Sequence, residues 1–216
     1  MDNHSLKLDV SPTAGKVSAE YFVPENAKSI ITLAHGAGAG MTHAFMVNIA
    51  KALTELKVGS LRFNFPFTEQ KSKRPDLPAV AHKTVEAAVA EAKKSYPDLP
   101  LYLSGKSFGG RMSSQFLAAH PDPDVKGIIF FGFPLHPIGK PSTERADHLE
   151  KIKVPMLFLQ GTRDELASLE LIEKVTSSLK KATLIKLEGA DHAFKAGKQD
   201  LIPVLAKHVA DWIGKH

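Results

Sequence analysis

The stretch Leu101 to Arg111, Leu-Tyr-Leu-Ser-Gly-Lys-Ser-Phe-Gly-Gly-Arg, constrains this chain more than any other. An apolar run ends at Ser104. Gly105-Lys106-Ser107-Phe108-Gly109 follows, and then a helix-forming stretch with Met112, Phe116 and Leu117 on one stripe. A strand that feeds a helix through so short a turn leaves no room for side chains at 105 and 109, and it forces Ser107 into strained backbone geometry. The turn lifts the Ser107 hydroxyl clear of the sheet edge. It also presents the first N–H groups of the helix, Phe108 above all, beside that hydroxyl. Strand, G-x-S-x-G, helix is the context of a nucleophile elbow. An ordinary glycine-rich turn has the same letters, so the reading needs an acid and a histidine elsewhere in the chain.

The rest of the sequence repeats the strand–helix alternation. Short continuous apolar runs are expected as buried strands at Ser29–Ala34, Gly59–Phe65, Val125–Phe131, Val154–Gln160 and Ala182–Leu187, with the elbow strand among them. Helical stretches are expected at about His43–Lys57 (capped by Thr42), Ala79–Ser95 (with Asp76 as a candidate cap), Arg145–Ile152, Leu166–Leu179 and Asp200–Lys215. Ser5–Val10 and Val17–Val23 have no helix between them and read as an antiparallel edge. The pattern predicts an α/β fold: a mostly parallel sheet of about seven or eight strands, an antiparallel N-terminal edge and helices on both faces. No repeat, low-complexity segment or linker divides residues 1–216, which are expected to form one domain.

In an open parallel sheet, ligands bind at the carboxyl ends of the strands. The polar residues there are His35, Asn64 and Glu69, Ser107, His136, Asp164 and His192. A serine, an acid and a histidine recur in the order Ser107, Asp164, His192. A serine hydroxyl is a weak nucleophile at neutral pH. His192 would take its proton during attack and return it to the leaving group, and Asp164 would hold the imidazole tautomer. Asp191 and Glu165 are rival acids, ranked lower because Asp191 adjoins the histidine and Glu165 lies one step into its turn. The two oxyanion donors are expected from Phe108 and from the glycine-rich loop His35–Gly40, with Ala37 preferred and Gly38 next. Each residue also has a plainer reading: Asp164 as a helix cap, His192 as a loop residue. His35 is read first as a brace for its loop and second as a substrate contact. His136, Phe67 and Glu69 are further candidates for lining the substrate site.

Composition removes other chemistries. The chain has no cysteine, hence no disulfide, thiolate nucleophile or thiolate metal site. The histidines at 35, 43, 136 and 192 lack close ligand spacing, so no metal or other cofactor is expected. Net charge is +5, with the lysines scattered and no interleaving of basic and aromatic residues, which argues against a nucleic-acid partner. No apolar run reaches the length of a membrane span and the first ten residues are polar, so a cytoplasmic protein without membrane contact is expected. The expected partner is a small acyl substrate.

The residues quoted so far, together with His35-Gly-Ala-Gly-Ala-Gly-Met41, Arg62-Phe-Asn-Phe-Pro66, Arg74-Pro-Asp76, Phe133-Pro-Leu-His-Pro137, Gly139-Lys-Pro141 and Gly161-Thr-Arg-Asp164, resemble the α/β-hydrolase superfamily. The likeness covers nearly the whole chain and lies on the small, dienelactone-hydrolase-like side. It is closest to a subfamily of small predicted bacterial hydrolases that is similar to a eukaryotic branch containing a subunit of a histone-acetyltransferase complex. The resemblance implies Ser107, Asp164 and His192 as a triad in the chain order of that superfamily, and a Phe133–Pro141 loop framing the site. It implies no particular substrate; the leading reading is a serine hydrolase of carboxylic esters or thioesters, with a scaffold, in line with the eukaryotic branch, and a peptidase or thioesterase using the same triad as the alternatives. Dienelactone hydrolases proper use cysteine, so lactone specificity does not carry over to a serine. Only about twenty residues separate the sixth and seventh strands, too few for a large helical lid, so an open site and a short acyl group are expected.

Overall fold

In the computed structural model, which describes residues 2–216, eight strands form one sheet in the order β1-β2-β4-β3-β5-β6-β7-β8. β1 (Ser5–Ser11) and β2 (Gly15–Phe22) form an antiparallel hairpin, and β2 runs antiparallel to β4 (Val58–Phe63). From β4 onward the sheet is parallel, through β3 (Ser29–Ala34), β5 (Leu101–Lys106), β6 (Val125–Phe131), β7 (Met156–Gly161) and β8 (Ala182–Leu187). The expected antiparallel edge and parallel body are both present.

β3, β4 and β7 are buried at every position, as strands covered on both faces must be. Alternate side chains feed two cores. Ile30, Leu61, Leu103, Phe130 and Phe158 pack with α3 (Pro78–Ser95) and α4 (Phe108–Ala119) on one face. Ile31, Leu33, Ile129, Leu157 and Leu159 pack on the other with α1 (Ala44–Glu55) and α6 (Ile202–Ile213), where Trp212 closes the layer. α5 (Leu169–Ser178) lies beside β8.

Several boundaries differ from expectation, each for a local reason. His43, not Thr42, caps α1, its ring nitrogen accepting from the Phe45 N–H. The fourth strand stops at Phe63 rather than Phe65. The Phe65 N–H turns to His35, and Pro66 opens a one-turn helix, α2 (Pro66–Glu69), where a loop was expected. Asp76 does not cap α3: its carboxylate accepts from the Phe67 N–H and so ties α2 to the following loop. Residues Glu144–Lys151 form a 3-10 helix. α5 starts at Leu169, three residues late, because the Leu166, Ala167 and Ser168 N–H groups are all spent on Asp164 and His136.

Candidate active site

The site is built around Ser107, the single residue between β5 and α4. Its backbone sits at φ 51° and ψ −115°, a sparsely populated conformation that costs about 1–3 kcal/mol for a residue with a Cβ. Close packing of the neighbouring segments holds it there. A Cβ on Gly105 would lie 2.3 Å from the Gly110 nitrogen, and one on Gly109 would lie 2.4 Å from the Ala34 carbonyl oxygen. The bare turn therefore lets α4 run directly over β5 and β3. The Ser107 N–H donates to the Phe131 carbonyl at 3.2 Å, fixing the elbow to β6. The Ser107 hydroxyl makes no capping bond to its own helix.

That hydroxyl lies 2.8 Å from His192 Nε2, and His192 Nδ1 lies 2.7 Å from Asp164 Oδ2. The chain Ser107–His192–Asp164 is thus continuous, across 85 and 28 residues of sequence. The Asp164 carboxylate is almost wholly shielded, with its side chain 1% exposed. Its Oδ1 accepts from the Leu166 N–H at 2.8 Å, and its Oδ2 accepts from the Gln160 amide at 2.5 Å as well as from the imidazole. Gln160 is itself held through its carbonyl by the Phe133 N–H at 2.9 Å. Sequence reasoning missed Gln160. It ends the apolar run of β7, and a buried amide in that place was its only signal. His192 sits in a tight turn after β8, where Asp191 Oδ1 accepts from the Ala193 and Lys195 N–H groups. Asp191 is thus committed to its own turn, and Glu165 is exposed and points to no member of the chain of hydrogen bonds.

Phe108 opens α4 directly after Ser107, and the loop Gly36–Ala39 lines the cleft beside Ser107. Among the described residues, the N–H groups of Phe108 and Ala37 make no hydrogen bond, so both remain free to serve an oxyanion. Gly38, the second choice, lines the same cleft. The cleft holds about 410 Å³ between Ser107, the 36–39 loop, Phe45 and Met46 on α1, and Leu166. A wider opening of about 800 Å³ lies on the far side of His192, edged by Ile138, Arg163, Glu165 and Lys195. Both share Leu166, His192 and Ala193. Ile138 places the 133–141 loop at the rim, as expected.

The structure bears out the first reading of His35, as a brace, and corrects the other three candidate substrate contacts. His35 is fully buried. Its Nδ1 bonds the Gly36 carbonyl at 2.7 Å, and its Nε2 accepts from the Phe65 N–H at 3.0 Å. Burial pushes its pKa down to about 4, so it is a neutral brace between β3 and α2. His136 is buried likewise, with Nδ1 on the Pro137 carbonyl and Nε2 accepting from the Ser168 N–H. Phe67 is packed among Phe65, Phe108 and His35. Glu69 accepts from the Ser18 N–H and the Asn64 amide and so clamps the hairpin edge. Backbone, strand and ring contacts commit all four away from the cleft.

No group of three or more His, Cys, Asp or Glu among the described residues is arranged to hold a metal ion. No described helix is long and apolar enough to cross a membrane.

A parallel sheet with a serine at the elbow after an interior strand, and an acid and a histidine at the ends of two later strands, defines the α/β-hydrolase class of fold. The model of the alpha/beta hydrolase domain matches residues 27–208, and the chain belongs to that family. It is similar in structure to the dienelactone hydrolase of Anabaena variabilis, with a TM-score of 0.82 at 18% identity, covering 100% of this chain and 98% of that one. A lidless α/β serine hydrolase of Xanthomonas campestris aligns with a TM-score of 0.75 at 23% identity, over 98% and 95% of the two chains. In sequence, the chain is 26% identical over 212 residues to the Mycobacterium tuberculosis protein named "Putative phosphoribosyl transferase Rv0571c". The match takes in 95% of this chain and 44% of that protein, so the chain spans less than half the length of its curated relative.

Proposed function

We propose that this chain is a serine hydrolase that cleaves carboxylic esters or thioesters of small acyl substrates through an acyl-enzyme intermediate. One observation carries the reading: the unbroken hydrogen-bond chain from Ser107 Oγ through His192 to the buried Asp164 carboxylate, set at a strained elbow. In the reaction, Ser107 Oγ attacks the acyl carbon while His192 Nε2 takes the hydroxyl proton. Charge gathers on the former carbonyl oxygen, where the N–H groups of Phe108 and Ala37 stabilise it. The intermediate collapses, and His192 returns the proton to the leaving alcohol or thiol. Water then repeats the sequence on the acyl-serine and releases the acid. The Asp164 carboxylate, held by three donors, keeps Nδ1 protonated throughout.

The open cleft of about 410 Å³ suits a short acyl group better than a long lipid chain. The test is labelling by a fluorophosphonate probe and hydrolysis of p-nitrophenyl acetate. Ser107→Ala is expected to lose the label and about a thousandfold or more in kcat. Unchanged turnover in that variant removes the proposal. A folded wild type that takes no probe and cleaves no ester favours a scaffold role instead.

A further inference from the structure

The lysine inside the elbow is not used by this chemistry, yet it touches the catalytic turn at two points and α1 at a third. Lys106 is the last residue of β5, next to the nucleophile. Its Nζ donates to the backbone carbonyl oxygen of His192 at 2.5 Å. The same ammonium lies 5.0 Å from the ring centroid of Phe194, in the His192 turn, and 5.8 Å from that of Phe45 on α1. Those two rings stack on each other at 5.8 Å. Phe194 holds a left-handed φ of 62°, a strained conformation for a bulky residue that needs outside support. Gly132, at the end of β6, leaves the space: a Cβ there would lie 3.2 Å from Nζ and 3.4 Å from the His192 ring. An ammonium in a half-buried place is costly unless paired or hydrogen-bonded, and among the described residues no ion pair reaches this one. Packing alone would have been met by methionine.

We propose that Lys106 is a positioning residue: its ammonium straps the 191–195 turn to the elbow strand and so holds the His192 imidazole in reach of Ser107. This rests on the serine-hydrolase reading above. Burial lowers the Lys106 pKa from 10.5 to about 8, against the opposing pull of Asp164 and Asp191. The other titratable groups around the ammonium are His192 on the same turn and His43 at the cleft edge; Gly132 and the rings of Phe45 and Phe194 carry no charge. Above about pH 8 the neutral amine keeps N–H donors but loses the charge that strengthens its bond to the His192 carbonyl and its contact with the two rings, so the strap weakens there.

The experiment compares wild type with Lys106→Met and Lys106→Gln. Wild-type kcat is expected to fall above pH 8. The Met variant is expected to show kcat lower by on the order of 10- to 100-fold at pH 7, KM within about threefold, and no decline around pH 8. Gln, a neutral donor, is expected to recover part of kcat without the basic decline. A Met variant with wild-type kcat and pH profile overturns the proposal, as does one in which KM alone rises, which would make Lys106 a substrate contact. Amide hydrogen exchange over residues 190–196 reads the strap without any turnover. Faster exchange in the Met variant supports it, and unchanged exchange refutes it. If wild type cleaves no ester, the functional reading falls, while the exchange result still decides the strap.

Discussion

Replacing Asp164 by Asn removes one charge and no volume, and the hydrogen-bond pattern dictates the consequence. Three donors converge on the carboxylate: Leu166 N–H on Oδ1, and the Gln160 amide with His192 Nδ1–H on Oδ2. An Asn can offer one oxygen. If it faces Leu166, its NH2 confronts the Gln160 NH2, which cannot turn over because its carbonyl is held by the Phe133 N–H. His192 Nδ1 must then accept from the Asn, which moves the ring proton to Nε2. A protonated Nε2 cannot take the Ser107 proton. If the oxygen faces His192, the NH2 meets the Leu166 N–H, and a buried donor pair costs about 1–3 kcal/mol. The first arrangement silences the base, and a wrong tautomer of this kind costs about 10⁴ in kcat, or about 5.4 kcal/mol of barrier. Asp191→Asn is the matched control. Its Oδ1 needs only to accept from two backbone N–H groups, which an amide oxygen does equally well, so kcat is expected to stay within about threefold. Steady-state hydrolysis of p-nitrophenyl acetate by both variants, with folding checked by circular dichroism, decides the matter. Asp164→Asn retaining a tenth of wild-type kcat, or Asp191→Asn being the inactive one, would refute the assignment.

Other outcomes rest on the same geometry. Gly109→Ala places a Cβ 2.4 Å from the Ala34 oxygen and is expected to cost about 3 kcal/mol or more in urea unfolding, whereas Gly38→Ala, with nothing within 4 Å, should stay within about 0.5 kcal/mol. His35 is neutral in the fold down to about pH 4 but protonates near 6.5 when unfolded, so its contribution is whole above pH 6.5 and declines as the pH falls toward 4. The loss is about 2 kcal/mol at pH 5, and His35→Gln should show a smaller drop in urea midpoint between pH 7 and 5 than wild type. The lowered pKa of Lys106 runs the other way. Between about pH 8 and 10.5 the unfolded chain holds a proton that the fold has shed, so stability rises with pH there, by up to about 3 kcal/mol. Lys106→Met is therefore expected to be as stable as wild type at pH 7, or more so, while losing kcat; a clearly lower urea midpoint would contradict that account.

Ser107, Asp164 and His192 could be read from the sequence because each closes an apolar run, and the end of a parallel strand is where a ligand must sit. The same rule also pointed to His136 and Glu69, and there it misled, while His35 proved the brace it was first read as. Strand ends place a polar residue near the site without saying which neighbour takes its hydrogen bonds. His35 and His136 are consumed by the loops they precede, through Phe65 and Ser168, contacts 30 and 32 residues away in sequence. Gln160 and Lys106 escaped notice for the opposite reason. One hides inside a strand and the other inside a motif whose second letter is left open, so neither periodicity nor motif marks them. The helix boundaries moved wherever a side chain outbid the helix for a backbone N–H, as Asp164 does at Leu166.

The sheet order explains why these two overlooked residues matter together. Ser107 follows β5, while Asp164 and His192 follow β7 and β8, with the end of β6 lying between. The histidine turn must reach back over β6 to meet the serine, and neither turn alone dictates that reach. Gly132, at a left-handed φ of 70°, clears the path, since a Cβ there would lie in contact with both the lysine ammonium and the imidazole. Gln160 anchors the acid from below, and Lys106 pulls the turn in from the serine's own strand. One of these contacts requires an amide of fixed orientation, and the other requires a charge in a place that disfavours charge. Both are more demanding than packing requires, and both act on His192, one through the Asp164 carboxylate and one through the turn that carries it, so that its imidazole stays within hydrogen-bonding distance of Ser107. That is the pattern expected where a fold gives up stability to hold a reacting geometry.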